Sequence, residues 1–165
     1  MVDNALKISA MNDCEIVMSR VFNAEQPLVF AAFTEPKLLK RWFFGPDGWS
    51  LKVCEIDLKV GGAFRYVWRK DADGTEMSMG GVYRELEAPR RIVHTEVFEM
   101  DWTCGETRVT TLFVPQDGRT TVTTTILYSS TGARDAVLKS PMESGVAAGY
   151  DRLERILPDM AAETV

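Results

Sequence analysis

The hydrophobic positions of this chain change their period along its length. Residues 15–22 (EIVMSRVF) alternate and are rich in β-branched side chains, as a strand with one buried face requires. The run Asn23-Ala24-Glu25-Gln26-Pro27 breaks that alternation, and Pro27 suits the first turn of a helix, where its missing N–H does no harm. Leu28, Val29, Ala32 and Phe33 then fall at helical spacing. Thr34-Glu35-Pro36 reads as a stop and a fresh start, with Thr34 as N-cap of a second short helix whose apolar face is Leu38, Leu39, Trp42 and Phe43.

Period two returns after the turn-rich Gly45-Pro46-Asp47-Gly48. Segments 51–58, 63–69, 81–87, 91–100, 106–114 and 120–128 read as strands. Turn chemistry separates them at Val60-Gly61-Gly62, Asp71-Ala72-Asp73-Gly74, Ala88-Pro89, Cys104-Gly105 and Gln116-Asp117-Gly118. Connections this short imply antiparallel neighbours, because parallel crossovers need a dozen or more residues. Beyond Gly132 the pattern is helical again. Val137, Leu138, Met142, Gly145, Val146, Gly149, Tyr150, Leu153, Ile156 and Leu157 fall largely on one stripe. Pro141 divides this region into a short helix over 133–139 and a main helix from Pro141 to about Leu157, with Pro158 as its stop.

One antiparallel sheet cannot bury its inner face alone, and the long amphipathic helix is the obvious cover. The expected fold is α+β: a curved antiparallel sheet of about six or seven strands wrapped around a long C-terminal helix. The expected organisation is a flexible leader over residues 1–13, a single domain over 14–158 and a tail over 159–165. Gly145 and Gly149 thin the helix on its apolar stripe. Close helix–sheet packing is the simpler explanation, and room for a ligand is the alternative.

Composition narrows the function classes. The chain has 165 residues, enough for a substantial core without metal or disulfide staples. A net charge of −5 gives no broad attraction to nucleic acid or anionic lipid. Cys14, Cys54 and Cys104 form no C-x-x-C pair, which speaks for a reducing compartment and against a disulfide framework or zinc site. No apolar run approaches the length of a membrane span, and residues 1–13 do not have the form of a signal peptide, so the cytoplasm is the expected location. Arg84, Arg90 and Arg91 are interleaved with Glu85 and Glu87 and read as a solvated face.

The order and spacing of several short motifs resemble a known family. These are Ser19-Arg20-Val21-Phe22-Asn23-Ala24 leading to Val29-Phe30, and Phe33-Thr34-Glu35-Pro36 with Leu38-Leu39 and Arg41-Trp42. Gly45-Pro46-Asp47-Gly48-Trp49, Cys54-Glu55-Ile56-Asp57-Leu58 and Gly61-Gly62-Ala63-Phe64-Arg65-Tyr66 follow. Gly81-Val82-Tyr83-Arg84-Glu85, Ala88-Pro89-Arg90-Arg91-Ile92-Val93, Ala133-Arg134-Asp135 and Met142-Glu143-Ser144-Gly145 complete the set. Together they resemble the START-like, helix-grip (SRPBCC) superfamily, in the branch related to the C-terminal domain of the activator of the heat-shock-protein-90 ATPase. The resemblance spans nearly all of residues 15–157. It implies a sheet wrapped on the C-terminal helix with a cavity between them, in a superfamily whose members bind lipids, hormones or polyketides or act as cyclases or hydrolases. It also implies a chaperone as a conceivable partner. Fold alone does not set the chemistry.

The residues themselves offer one polar pair. His94 is the only histidine, and in a strand it shares a face with Glu96 and Phe98. Glu96 is placed to orient or protonate His94, which makes these two the candidate acid–base residues; a hydrogen-bonded structural histidine is the plainer alternative. Neither G-x-S-x-G nor H-E-x-x-H occurs, and Gly61-Gly62 follows no nucleotide-binding pattern, so no metal, nucleotide or other cofactor is expected. Phe64, Tyr66 and Trp68 alternate on one strand face. With Trp42, Trp49, Tyr83, His94, Glu96, Phe98, Met142, Val146 and Gly149 they make the expected pocket. Trp42 and Phe64 favour the core, and Trp68 and Tyr83, with polar tips, favour the cavity wall. The loop 44–49 is a candidate lid. The leading functional reading is a binding protein for a small apolar or amphipathic molecule. The alternatives are an enzyme using His94 and Glu96, and a chaperone-interaction module. A homodimer is compatible with all three.

Overall fold

The computed structural model describes residues 4–100 and 103–163. Eight strands and four helices follow the chain: β1 (Lys7–Met11), β2 (Glu15–Phe22), α1 (Gln26–Thr34), α2 (Pro36–Leu39), β3 (Trp49–Ile56), β4 (Ala63–Lys70), β5 (Glu76–Glu87), β6 (Arg91–Phe98), β7 (Thr107–Gln116), β8 (Arg119–Leu127), α3 (Thr131–Leu138) and α4 (Met142–Glu163). All strands join one antiparallel sheet in the order β1-β2-β8-β7-β6-β5-β4-β3. The α+β class and the helix-grip arrangement of the sequence reading hold, with one strand more than the upper expectation.

Alternation decides which face is inside. Ile16, Met18, Arg20 and Phe22 of β2 are buried while the residues between them are partly open. Thr107, Val109, Thr111 and Phe113 do the same on β7; on β4 Phe64, Tyr66 and Trp68 are buried, and so is Val67 on the opposite face. On that inner face α4 buries Tyr150, Leu153, Leu157 and Met160. The main core gathers these with Phe22, Val29, Phe30, Trp42 and Phe113, and Phe33 packs edge-on against Phe22, Phe113 and Tyr150. A smaller cluster of Ile16, Met18, Tyr128, Ala133 and Val137 seats α3 at the other end.

Four boundaries differ from expectation for identifiable reasons. Lys7–Met11, assigned to a loose leader, pairs along β2 from Lys7↔Ser19 to Met11↔Glu15. Its side chains are almost all exposed, so backbone hydrogen bonds and not an apolar face define it. Residues 1–3 of that leader and 164–165 of the tail lie outside the described residues. Pro158 does not stop α4, which runs on to Glu163. Leu157 and Met160 are each 1 % exposed, and their burial carries the helix past the missing N–H. Thr34 ends α1 and donates its hydroxyl to Phe30 O at 2.9 Å instead of capping the next helix, whose N-cap is Glu35. That helix is one turn long, so Trp42 and Phe43 lie beyond it. Finally, β5 begins at Glu76, earlier than the segment 81–87.

A candidate ligand cavity between sheet and helix

The inner face of the sheet and the first turns of α4 do not meet everywhere. Between them lies a cavity of about 430 Å³. Its walls come from β4 (Tyr66, Trp68), β5 (Met77, Met79), β6 (His94, Glu96, Phe98), β7 (Thr107, Val109, Thr111) and β8 (Thr124, Ile126). Met142, Gly145, Val146, Gly149 and Tyr150 of α4 close it above, and Phe43, Phe44, Gly45, Pro46 and Trp49 form one end.

Of the expected pocket residues, Trp42, Trp49, Tyr66, Trp68, His94, Glu96, Phe98, Met142, Val146 and Gly149 line this cavity. Phe64 and Tyr83 do not. They line a second space of about 50 Å³, with Phe33, Tyr66, His94 and Thr111 shared between the two. Ile92 and Phe113 complete the walls of that smaller space. The expectation that Trp68 turns its polar tip to the cavity changes as well. The Trp68 indole donates to Phe43 O at 2.9 Å and that of Trp42 to Ala32 O at 2.9 Å. Both rings therefore offer the cavity only apolar surface. Trp42 is at once core and wall.

The His94–Glu96 pair exists. His94 Nε2 and Glu96 Oε2 are 3.0 Å apart, with the side chains 16 % and 20 % exposed. β6 supplies both because inward positions recur every second residue. The strand is positioned by β5: Val82 N–H donates to Thr95 Oγ1 at 3.0 Å, next to a register shift between Tyr83 and Glu85. His94 Nδ1 is buried and has no hydrogen-bond partner among the described residues.

Burial, and then Tyr83, Cys54 and the Glu96 charge, push the Tyr66 hydroxyl well above its ordinary range. Burial raises Tyr83 to about 12 and Tyr150 to about 12. It also raises Tyr128, with Glu96 adding to the effect. Each of these phenols is neutral at physiological pH and serves as a hydrogen-bonding tip, not as a base. Burial likewise lifts the Cys54 thiol to about 11, against Lys40, so it is a poor nucleophile near neutrality. Among the described residues no group of three or more His, Cys, Asp or Glu side chains is placed to hold a metal ion.

The loop 44–49 is tied to the covering helix. Arg152 of α4 donates to Trp42 O at 2.9 Å, to Gly45 O at 3.1 Å and to Asp47 Oδ1 at 3.2 Å. Its guanidinium carbon lies 3.8 Å from the centre of the Phe44 ring. One cation thus fixes the loop backbone, a carboxylate and an aromatic face together.

The threonines of β7 and β8, together with Thr103, Tyr128 and Tyr150, are wall residues that the sequence reading did not single out. Alternation in 106–114 carries a signal for Thr107 and Thr111. The run Thr123-Thr124-Thr125 offers the same residue to both faces, so Thr124 has none.

A curved antiparallel sheet gripping a long helix around a mostly apolar hollow defines a helix-grip fold. The chain belongs to the family described as Activator of Hsp90 ATPase homolog 1-like protein, whose model matches residues 23–158. It is similar to a crystal structure of a protein from Rhodobacter sphaeroides, with 30% identity and a TM-score of 0.88 over 94% of this chain and 99% of that one. A Nitrosomonas europaea protein shares the fold at 23% identity, with a TM-score of 0.80 over 93% of this chain and 99% of that one. An AHSA1-like protein from Aeromonas hydrophila does so at 20% identity, with a TM-score of 0.67 over 84% and 92%. No curated protein sequence matches this one. Among the described residues no helix is long and apolar enough to cross a membrane.

Proposed function

We propose that this protein binds one small apolar or amphipathic molecule between the sheet and α4. The observation that carries this reading is the hollow of about 430 Å³, walled by aromatic and methionine side chains with a single imidazole–carboxylate pair. Protein interiors hold few voids larger than a water, and this one has room for about fourteen waters at liquid density. Its size falls within the range of small-molecule sites, which are mostly apolar with a few polar groups to fix orientation. The loop 44–49 is the gate in this reading, with Arg152 as its clasp.

Decanol serves as a probe of the apolar hollow. At about one hundred times its dissociation constant it is expected to add about 2.7 kcal/mol to the unfolding free energy. Urea titrations with and without decanol measure this directly. An unchanged midpoint up to the solubility limit contradicts the proposal.

The 3.0 Å contact between His94 and Glu96 also supports a second reading, an acid–base pair acting on a bound carbonyl or aromatic compound. On that reading His94→Ala keeps the fold, by circular dichroism, and removes any turnover that the wild type shows. Turnover that survives the substitution counts against it.

A further inference from the structure

Most of the cavity's polar groups are threonine and tyrosine hydroxyls, which both donate and accept, so its single charged group decides the charge of what it holds. Its walls, among the described residues, include one carboxylate, Glu96, and no lysine or arginine. An ionised carboxylate only accepts hydrogen bonds, so the 3.0 Å contact with His94 places a proton on Nε2. In the neutral ring Nδ1 is then an acceptor too, and it is buried without a partner. The Glu96 charge also acts on the hydroxyls of Tyr66, Tyr128 and Tyr150, adding at each to the larger effect of burial. At Tyr150 the Arg20 cation opposes and outweighs it, so the Glu96 charge is felt around Tyr66 and Tyr128.

The rest of the wall suits a cation. Phe98 lies two residues from Glu96 on the same strand face, and it pairs across the sheet with Met79, which pairs with Tyr66. Aromatic faces attract ammonium groups, and more strongly away from water. The N-terminal turn of α4 would favour an anion. The Met142 amide, however, donates to Ser140 Oγ at 3.3 Å, and Glu143 brings a carboxylate of its own to that first turn.

We propose that the cavity selects a molecule whose apolar body carries a protonated amine, with the Glu96 carboxylate and the neighbouring aromatic rings receiving the ammonium group. The proposal rests on the reading of the cavity as a ligand site and adds the class of ligand. The net charge of −5 assists approach of a cation.

Three probes of equal chain length test it at neutral pH: decylammonium, decanol and decanoate. Tryptophan fluorescence reports binding, because Trp42, Trp49 and Trp68 line the hollow. Decylammonium is expected to bind about tenfold or more tighter than decanol, a difference of the size of one desolvated cation–π or charge-assisted contact, with decanoate weakest. Glu96→Gln is expected to lower decylammonium affinity about tenfold and so to shrink its preference over decanol, read as the ratio of the two affinities in the variant. The wild-type series stands without the variant, should that variant fail to fold. Equal binding of all three probes, or preference for decanoate, overturns the ligand class and leaves the binding function standing. Binding by none of them overturns both.

Discussion

Replacing Gly81 with alanine is expected to destabilise the protein by about 3 kcal/mol, among the larger effects of overpacking. Gly81 sits in β5 between β4 and β6, where it pairs with Phe64. A Cβ built there overlaps the Thr95 carbonyl oxygen and comes within 2.8 Å of Phe64 Cζ. Backbone cannot yield as the tip of a flexible side chain can. The strand pair must separate, which also breaks the hydrogen bond from Val82 N–H to Thr95 Oγ1. Because Thr95 lies between His94 and Glu96, the polar pair loses its alignment as well. A urea unfolding curve should show a lower midpoint with an unchanged slope. A midpoint equal to that of the wild type would mean that the close approach of these strands is not as described.

The second large effect concerns binding alone. Gly145→Trp is expected to abolish decanol binding, weakening it by at least about one hundredfold, or roughly 2.7 kcal/mol, while the fold persists. A Cβ at Gly145 meets nothing within 4 Å, and the residue lines the cavity, so an indole there has the hollow to occupy. Gly145→Ala is the matched control. It should raise stability by up to about 1 kcal/mol through helix propensity and still bind. A tryptophan variant that binds as the wild type does would place the ligand elsewhere.

That open space also corrects the simpler reading of the helix glycines. Close packing against the sheet does not explain Gly145. At Gly149 the nearest atom to a built Cβ is Trp42 O at 3.6 Å, an ordinary contact. Room beneath the helix explains Gly145, while Gly149 packs against Trp42, and a periodicity argument cannot see room. The face shared by His94, Glu96 and Phe98 was legible because every second side chain of a strand points to the same face, and the register shift beside His94 takes its extra residue from β5, not β6. Phe64 and Tyr83 were misplaced for a related reason. Their strand faces are inward as expected, but they open onto the smaller space, whose other walls include Phe33 and Phe113. Those rings arrive from α1 and β7, and no local pattern in β4 or β5 encodes them. The Arg152 clasp was invisible for the same reason, since its partners lie more than one hundred residues earlier in the chain. Lys7–Met11 lacked an apolar face to betray it.

Intermolecular nuclear Overhauser effects to a bound decyl chain test the central claim most directly. The account predicts saturable contacts from the chain to the side chains of Met142 and Val146 and to the ring of Phe98, which line the hollow from the helix and from the sheet. Contacts confined to exposed apolar residues such as Val60 and Met100, 63% and 67% open to solvent, would contradict it.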